Sequence, residues 1–301
     1  MEREIQMLAL KQILVPVDFS ERSAAAARQA VALAERFDAR LTFAHVIDRL
    51  PYEGTEREAF YGEHGEVISA KELDARFRRR LREFTAMVTG ATPPQEVLLK
   101  GDPAGQIAQF VQEREIDLVV VPTRGHGTFR KFLLGSVTAK ILHDVNCPVL
   151  TGTHGEEPPP PASPPYRRIG CAIDLSGQSE ALLRWADEFA GAWGAKLVLI
   201  HATPPVQVIM DDVHVVTADW WDMVVRAAEG KLKDLAGKLS RQADVCAGTG
   251  DPVHFVTSTA AERELDLLIV GRGMAKQRAS RLPTNAYGII RESPCPVISL
   301  P

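Results

Sequence analysis

The strongest constraint on how this chain folds is that its sequence reads twice. PVDFS at residues 16–20 lines up with AIDLS at 172–176, and the 27 positions from Asp18 to His45 recur between Asp174 and His201. GDP returns at Gly101 and Gly250, each followed 16 positions later by the Asp that opens an apolar run, DLVVVP at Asp117 and DLLIVG at Asp266. The copies close on NCPVL at 146–150 and PCPVI at 294–298. Agreement in both order and spacing points to a duplicated domain. The 301 residues are then enough for two domains, each long enough to bury its own core.

Between the copies, residues 154–165 hold six prolines in twelve positions, which excludes helix and central strand and favours a stiff polyproline spacer. The expected division is therefore a first domain over 1–153, a linker over 154–166 and a second domain over 167–301. With 45% hydrophobic and 25% charged residues the chain has the balance of a globular protein, which argues against disorder. A net charge of -4 disfavours a nucleic-acid grip, which needs a concentrated basic face. The chain shows neither an apolar run of the roughly 20 residues that span a bilayer nor a leader-like start, so no membrane association and a cytoplasmic location are expected. Cys147, Cys171, Cys246 and Cys295 form no C-x-x-C pair and sit in apolar stretches, as buried, reduced thiols do.

Within each copy, short β-rich runs alternate with helical stretches. Strands are expected at 12–17, 40–46, 96–100, 118–122 and 147–151, and again at 169–173, 196–201, 244–247, 267–271 and 297–300. A long helix is expected over 219–240, where Trp220 and Trp221 read as core or interface packing. Continuous apolar strands such as LVVV and LLIV call for burial on both faces. The expected fold class is thus α/β, with two tandem Rossmann-like domains, each a five-stranded parallel sheet flanked by helices. Ligands of such sheets sit beyond the carboxyl ends of the strands, here just after Val17, Val46 and Val121.

After the fourth strand the first copy reads PTRGHGTFRKFLLGSVTAKILHD, residues 122–144. Gly125, Gly127 and Gly135 bracket a basic loop with Arg124, His126, Arg130 and Lys131, running into a helix that starts near Gly135 or Ser136. That pattern suits a phosphate cradle, with close backbone approach, helix N-terminal N–H groups, and hydroxyls from Ser136 and Thr138. It equally suits a plain turn with Ser136 as helix cap. Asp18 has two readings as well, as an acceptor for a ribose or base and as a cap for the helix beginning near Ser20. His45 reads as a packed, hydrogen-bonded side chain. No Walker A ending, catalytic-triad signature or paired metal-ligand spacing is present.

Taken together, ILVPVDFSERS (13–23), FAHVID (43–48), GDPAGQI (101–107), DLVVVPTRG (117–125), LLGSVTAKIL (133–142) and CPVL (147–150) resemble the universal stress protein family, and the chain resembles a tandem member of it. The resemblance implies an adenine nucleotide alpha hydrolase-like fold. In ATP-binding members the loop follows G-x2-G-x9-G-S/T; Gly125, Gly135 and Ser136 fit its second half, while Pro122 occupies the first glycine's place. By the same resemblance, Asp18 and the Val46 backbone would hold the adenosine of ATP or AMP, with Pro16 and Val17 lining the pocket. Thr123, Arg124, Gly125, His126, Gly127, Gly135, Ser136, Val137 and Thr138 would surround the phosphates, with Mg2+ as a companion ion. The second loop departs further, because counting back from Cys295 places Pro283 and Thr284 where Gly135 and Ser136 stand, so a weak or absent nucleotide site is expected there.

The resemblance also implies that the closing strands of the two copies pair, making the chain an internal pseudo-dimer, with whole-chain homodimers a further option. The expected function is regulatory nucleotide binding in a stress-response protein, not catalysis. A scaffold without nucleotide and a slow ATPase are the alternatives.

Overall fold

The computed structural model describes residues 8, 10–48, 59–61, 67–88, 93–122, 134–152, 165–177, 179–204, 218–272 and 284–301. All but the last two residues of the Pro-rich linker lie outside them. The chain forms two compact units, one built on Leu10–Phe129 with Leu134–Cys147, the other on Pro148–Pro301.

The first unit runs β1 (Gln12–Pro16), α1 (Glu21–Phe37), β2 (Arg40–Ile47), β3 (Ala59–Tyr61), β4 (Val67–Ser69), α2 (Ala70–Val88), β5 (Gln95–Lys100), α3 (Pro103–Glu113), β6 (Leu118–Val121) and α4 (Ser136–Asp144). Its strands β6-β1-β2-β5 are parallel neighbours in that order. The small β3–β4 hairpin is antiparallel and was not foreseen from the sequence. The second unit carries β7 (Val149–Thr151), β8 (Arg168–Ala172), α5 (Ser179–Trp193), β9 (Lys196–Thr203), α6 (Ala218–Ala236), β10 (Ala243–Thr249), α7 (Pro252–Glu262), β11 (Leu267–Gly271), α8 (Thr284–Glu292) and β12 (Val297–Leu300). Its strands β10-β9-β8-β11-β12 are all parallel.

The closing strand of the first copy, β7, groups with the second unit. It lies antiparallel on β12, with Val297 opposite Thr151 and Ser299 opposite Val149. The Thr151 hydroxyl donates to the Val297 carbonyl at 3.2 Å and the Ser299 hydroxyl to the Val149 carbonyl at 3.3 Å. The pairing uses hydrogen-bonding groups that an open β12 edge would otherwise present to other chains.

The repeated motifs prove to be folding devices. Gly101 and Gly250 adopt φ of 129° and 130°, a region that strains any side chain, so glycine is required at both turns. The following Asp102 and Asp251 cap α3 and α7 by accepting from the Gly105 and His254 N–H groups at 2.8 and 2.9 Å, and Pro103 and Pro252 open the helices. GDP is thus a complete strand-to-helix turn. Asp117 and Asp266 brace the first strand of their repeat, β1 and β8: Asp117 accepts from the Lys11 and Gln12 N–H groups at 2.8 and 2.9 Å, and Asp266 from the Arg167 and Arg168 N–H groups at 2.6 and 2.7 Å.

Strands β6, β1 and β11 are buried along almost their whole length, as continuous apolar runs require. On α1 the buried apolar face is Ala26, Ala27, Ala30 and Leu33, while Ala34 and Phe37 are half-buried. Helix α6 ends at Ala236, short of the expected 240, because Gly237 follows it. Trp220 and Trp221 are half-buried and pack edge-to-face at 4.8 Å, while Leu232 is the helix's most deeply buried apolar side chain. Cys147, Cys171 and Cys295 are buried and Cys246 half-buried, all as free thiols. Burial pushes the Cys295 thiol up to about 12, so it stays protonated.

Candidate functional site: the strand-end rims

Because β6, β1 and β2 are parallel neighbours, their carboxyl ends share one edge of the first unit. The order switches at β1, where the chain moves to β2 on one side and returns to β6 on the other, the crevice in which such sheets hold ligands. Pro16, Val17 and Asp18 close β1, Val46 lies near the end of β2, and Gly135, Ser136, Val137 and Thr138 open α4. Thr123, Arg124, Gly125, His126 and Gly127 lie outside the described residues.

Helix α1 is capped by Ser20, whose hydroxyl accepts from the Ser23 N–H at 3.1 Å, so Asp18 is not the cap. Asp18 instead holds the turn before it, accepting from the Ser20 N–H at 3.0 Å, while its own N–H donates to the Ser23 hydroxyl at 3.3 Å. Phe19 between them sits at φ 65°, strained for a side chain of its size. The His45 Nδ1 lies 2.7 Å from the Val17 carbonyl oxygen and donates to it, tying β2 to the end of β1. Burial holds the His45 pKa below its ordinary value against the opposing Val17 bond, and the Arg80 charge adds to the lowering.

At α4 the cap is Gly135, with no side-chain cap bond, and Ser136 is the first helical residue. The reading of Ser136 as helix cap therefore gives way to Gly135. Gly135 has φ -58° and ψ 141°, ordinary extended backbone, so glycine is not there for conformational reasons. Its effect is that the cap residue offers no side-chain acceptor to the first N–H groups of α4. Ser136 and Val137 are exposed, while Thr138 is buried and its hydroxyl donates to the Pro122 carbonyl at 2.9 Å, fastening α4 to the end of β6.

Reading the sequence missed one cluster. The His45 ring meets both Phe19 at 4.4 Å and Phe77 of α2 at 4.8 Å, which themselves stack at 6.4 Å, and the Arg80 guanidinium stands 4.4 Å above the Phe19 ring. The run FRRRL at 77–81 was its only signal in the sequence.

The second unit repeats the scaffold. Asp174 accepts from the Ser176 N–H at 2.9 Å and from the Ser179 hydroxyl at 3.3 Å; Leu175 sits at φ 59°; the His201 Nδ1 lies 2.8 Å from the Ile173 carbonyl. Burial works to raise the Asp174 pKa, but the bonds from Ser176 and Ser179 outweigh it and hold the carboxyl below its ordinary value. A cavity of about 320 Å³ opens at these strand ends, between β8, β9 and β11 and the helices α5, α7 and α8. Among the described residues, no group of three or more His, Cys, Asp or Glu is placed to hold a metal, and no helix is long and apolar enough to cross a membrane.

Two α/β repeats with matching rims define a tandem α/β protein, and comparison with known proteins places it. The model of the universal stress protein family matches residues 9–151 and again 165–301. The chain belongs to the universal stress protein family. It is 29% identical over 142 residues to a universal stress protein of Methanocaldococcus jannaschii, covering 46% of this chain and 80% of that one. To a universal stress protein of Thermus aquaticus it is 34% identical over 143 residues, 46% of this chain and 96% of the relative. The crystal structure of a universal stress protein from Archaeoglobus fulgidus superposes over 98% of this chain and 97% of its own, with a TM-score of 0.67 at 22% identity, a likeness of fold.

Proposed function

We propose that the first repeat, within residues 1–153, binds an adenine nucleotide, ATP or AMP, at the carboxyl ends of β1, β2 and β6, and that occupancy regulates the protein without feeding a reaction. The observation that carries this reading is that α4 starts without a side-chain cap, with a glycine that has no conformational need for being glycine in the cap position. The first N–H groups of a helix have no intrahelical acceptor and carry the positive end of its dipole, which suits phosphate. Ser136 and Val137 lie exposed in that first turn. In this reading Asp18 and the Val46 backbone hold the adenosine against Pro16 and Val17. Thr123, Arg124, Gly125, His126 and Gly127, which lie outside the described residues, are assigned to the phosphates by the sequence motif alone. Thr138 contributes through its N–H, since its hydroxyl is engaged by Pro122. Mg2+ would arrive on the triphosphate, held largely by phosphate oxygens and water.

The second repeat, 167–301, then serves as the internal partner through β7 and β12, without a nucleotide of its own. A scaffold that takes no nucleotide at all is the second reading, favoured by Pro122. That residue lacks an N–H, and its carbonyl is already spoken for by Thr138. Calorimetric titration of ATP into the full chain and into a Gly135→Val/Ser136→Ala variant separates them. Saturable binding weakened at least about tenfold in the variant, the scale of a lost charge-assisted hydrogen bond, is expected. Equal affinity in both proteins, or none in either, overturns the nucleotide reading.

A further inference from the structure

The chain carries a net charge of -4, but α2 reverses that sign locally. Between Ala70 and Val88 it holds six basic side chains, Lys71, Arg76, Arg78, Arg79, Arg80 and Arg82, against three acidic ones. Two of those carboxylates are committed: Glu72 accepts from the Ser69 N–H and hydroxyl at 2.9 and 2.7 Å, and Asp74 pairs with Lys100 at 2.8 Å. The third, Glu83, lies on the exposed face. All five arginines are exposed. Among the described residues no carboxylate forms an ion pair with Arg76, Arg78, Arg79 or Arg82, while Arg80 rests on the Phe19 ring. Helix α6 stands at the same place in the second repeat with three basic and four acidic side chains, so the fold itself does not require the cluster.

The arrangement of the arginines is as telling as their number. Leu81, Phe84, Thr85 and Val88 turn inward. At about 100° of rotation per residue, Arg79 points directly away from that buried face, Arg76 and Arg80 lie on one flank, and Arg78 and Arg82 lie on the other, about 160° round the helix. A flat anionic surface such as a bilayer meets one flank of a helix at a time. A groove walled by phosphates on both sides meets both. We propose that the exposed face of α2 docks in the major groove of duplex DNA and grips phosphates on both walls. That groove, about 12 Å wide, admits an α-helix, whose diameter with side chains is about 10–12 Å. The deep, narrow major groove of duplex RNA does not. Arginine suits the role, because its planar guanidinium meets phosphate oxygens in pairs and keeps its charge at every accessible pH. Ala75 and Ala86, small and exposed beside Arg79, let the helix lie close to the groove floor. The sequence-based expectation against nucleic acid rested on the charge of the whole chain, whereas the grip is a property of one helix face. The proposal concerns α2 and stands whether or not the first repeat binds ATP.

Fluorescence anisotropy of a short labelled DNA duplex of mixed sequence, titrated with the full chain at several salt concentrations, tests it. Saturable binding is expected at about 50 mM salt. Five phosphate contacts give a slope of about -4.5 in log K against log salt, a loss of about 500-fold between 50 and 200 mM. Arg78→Ala/Arg82→Ala, which strips one flank, should weaken binding and make the slope shallower by about two, and Arg76→Ala on the other flank by about one. These side chains are exposed, so urea midpoints close to wild type should show that the variants keep the fold. A duplex RNA of the same sequence, and vesicles of phosphatidylserine in phosphatidylcholine, should both bind more weakly than DNA and depend less on the two flanks together. The absence of saturable DNA binding at 50 mM salt would overturn the proposal. So would RNA or vesicles bound as tightly as DNA, or a DNA affinity and salt slope unchanged in Arg78→Ala/Arg82→Ala.

Discussion

The two strand-end rims share a frame and differ in what fills it. Both have an Asp that holds the turn after the repeat's first strand, a left-handed residue behind it, and a His whose Nδ1 reaches back to the carbonyl just past that strand. Around that frame the first rim is aromatic and cationic, with Phe19, Phe77 and Arg80 at His45 and a helix start without a side-chain cap at Gly135. In the second rim Leu175 takes the place of Phe19, and the strand ends open into an apolar chamber. The lesson is that the shared residues build the turn, and the residues that differ set the chemistry.

Core substitutions should break the symmetry most. Leu14 and Gly170 occupy the same place in their repeats; Leu14 is fully buried, while a Cβ on Gly170 would lie 2.5 Å from Leu265 Cδ1 and 2.7 Å from Leu268 Cδ2. Leu14→Ala should cost about 3 kcal/mol by leaving a cavity, and Gly170→Val about 2 kcal/mol by overpacking, both read as shifts in urea midpoint. Opposite changes with similar cost would show that each unit has packed around its own residue.

The bracing carboxylates should behave alike. Asp117→Ala and Asp266→Ala each remove an acceptor of two backbone N–H groups and should each cost about 2 kcal/mol. A loss confined to one unit in hydrogen exchange would break the idea of a common frame. On the ligand side, Pro122→Gly restores an N–H at the end of β6 and should tighten ATP binding about tenfold, measured by calorimetry; unchanged or weaker binding would place Pro122 outside the phosphate site.

The smallest effect is that of pH at His45. Its folded pKa lies below the ordinary 6.5, so the unfolded chain binds the proton more readily. Its contribution is fully present above that value and is lost as pH falls from there through the folded pKa. Thermal midpoints should therefore decline below about pH 6.5, the ordinary His value, and His45→Asn should flatten that part of the profile. An unchanged profile in the variant would assign the decline to other groups.

Much of this frame was legible in the sequence because it is local. The GDP turns and the apolar strands rest on residues close together in the chain, and the parallel order follows from crossover rules. The pairing of the closing strands was legible from the family resemblance. The Arg80 contact was not, because the spacing of Phe77, Leu81, Phe84 and Val88 tells which face of α2 turns inward but not which distant ring an exposed Arg will cover. The chamber in the second unit was hidden for a related reason. Its walls come from six separate elements, so no single stretch of sequence announces it.

The most direct measurement is native mass spectrometry of the full chain with increasing ATP, counting nucleotides per chain in the wild type, in Gly135→Val/Ser136→Ala and in Asp174→Ala. One ATP per chain is expected, absent in the Gly135 variant and retained in Asp174→Ala. Two nucleotides per chain, or a single one that survives the Gly135 variant and disappears with Asp174→Ala, would contradict the assignment of nucleotide to the first rim alone.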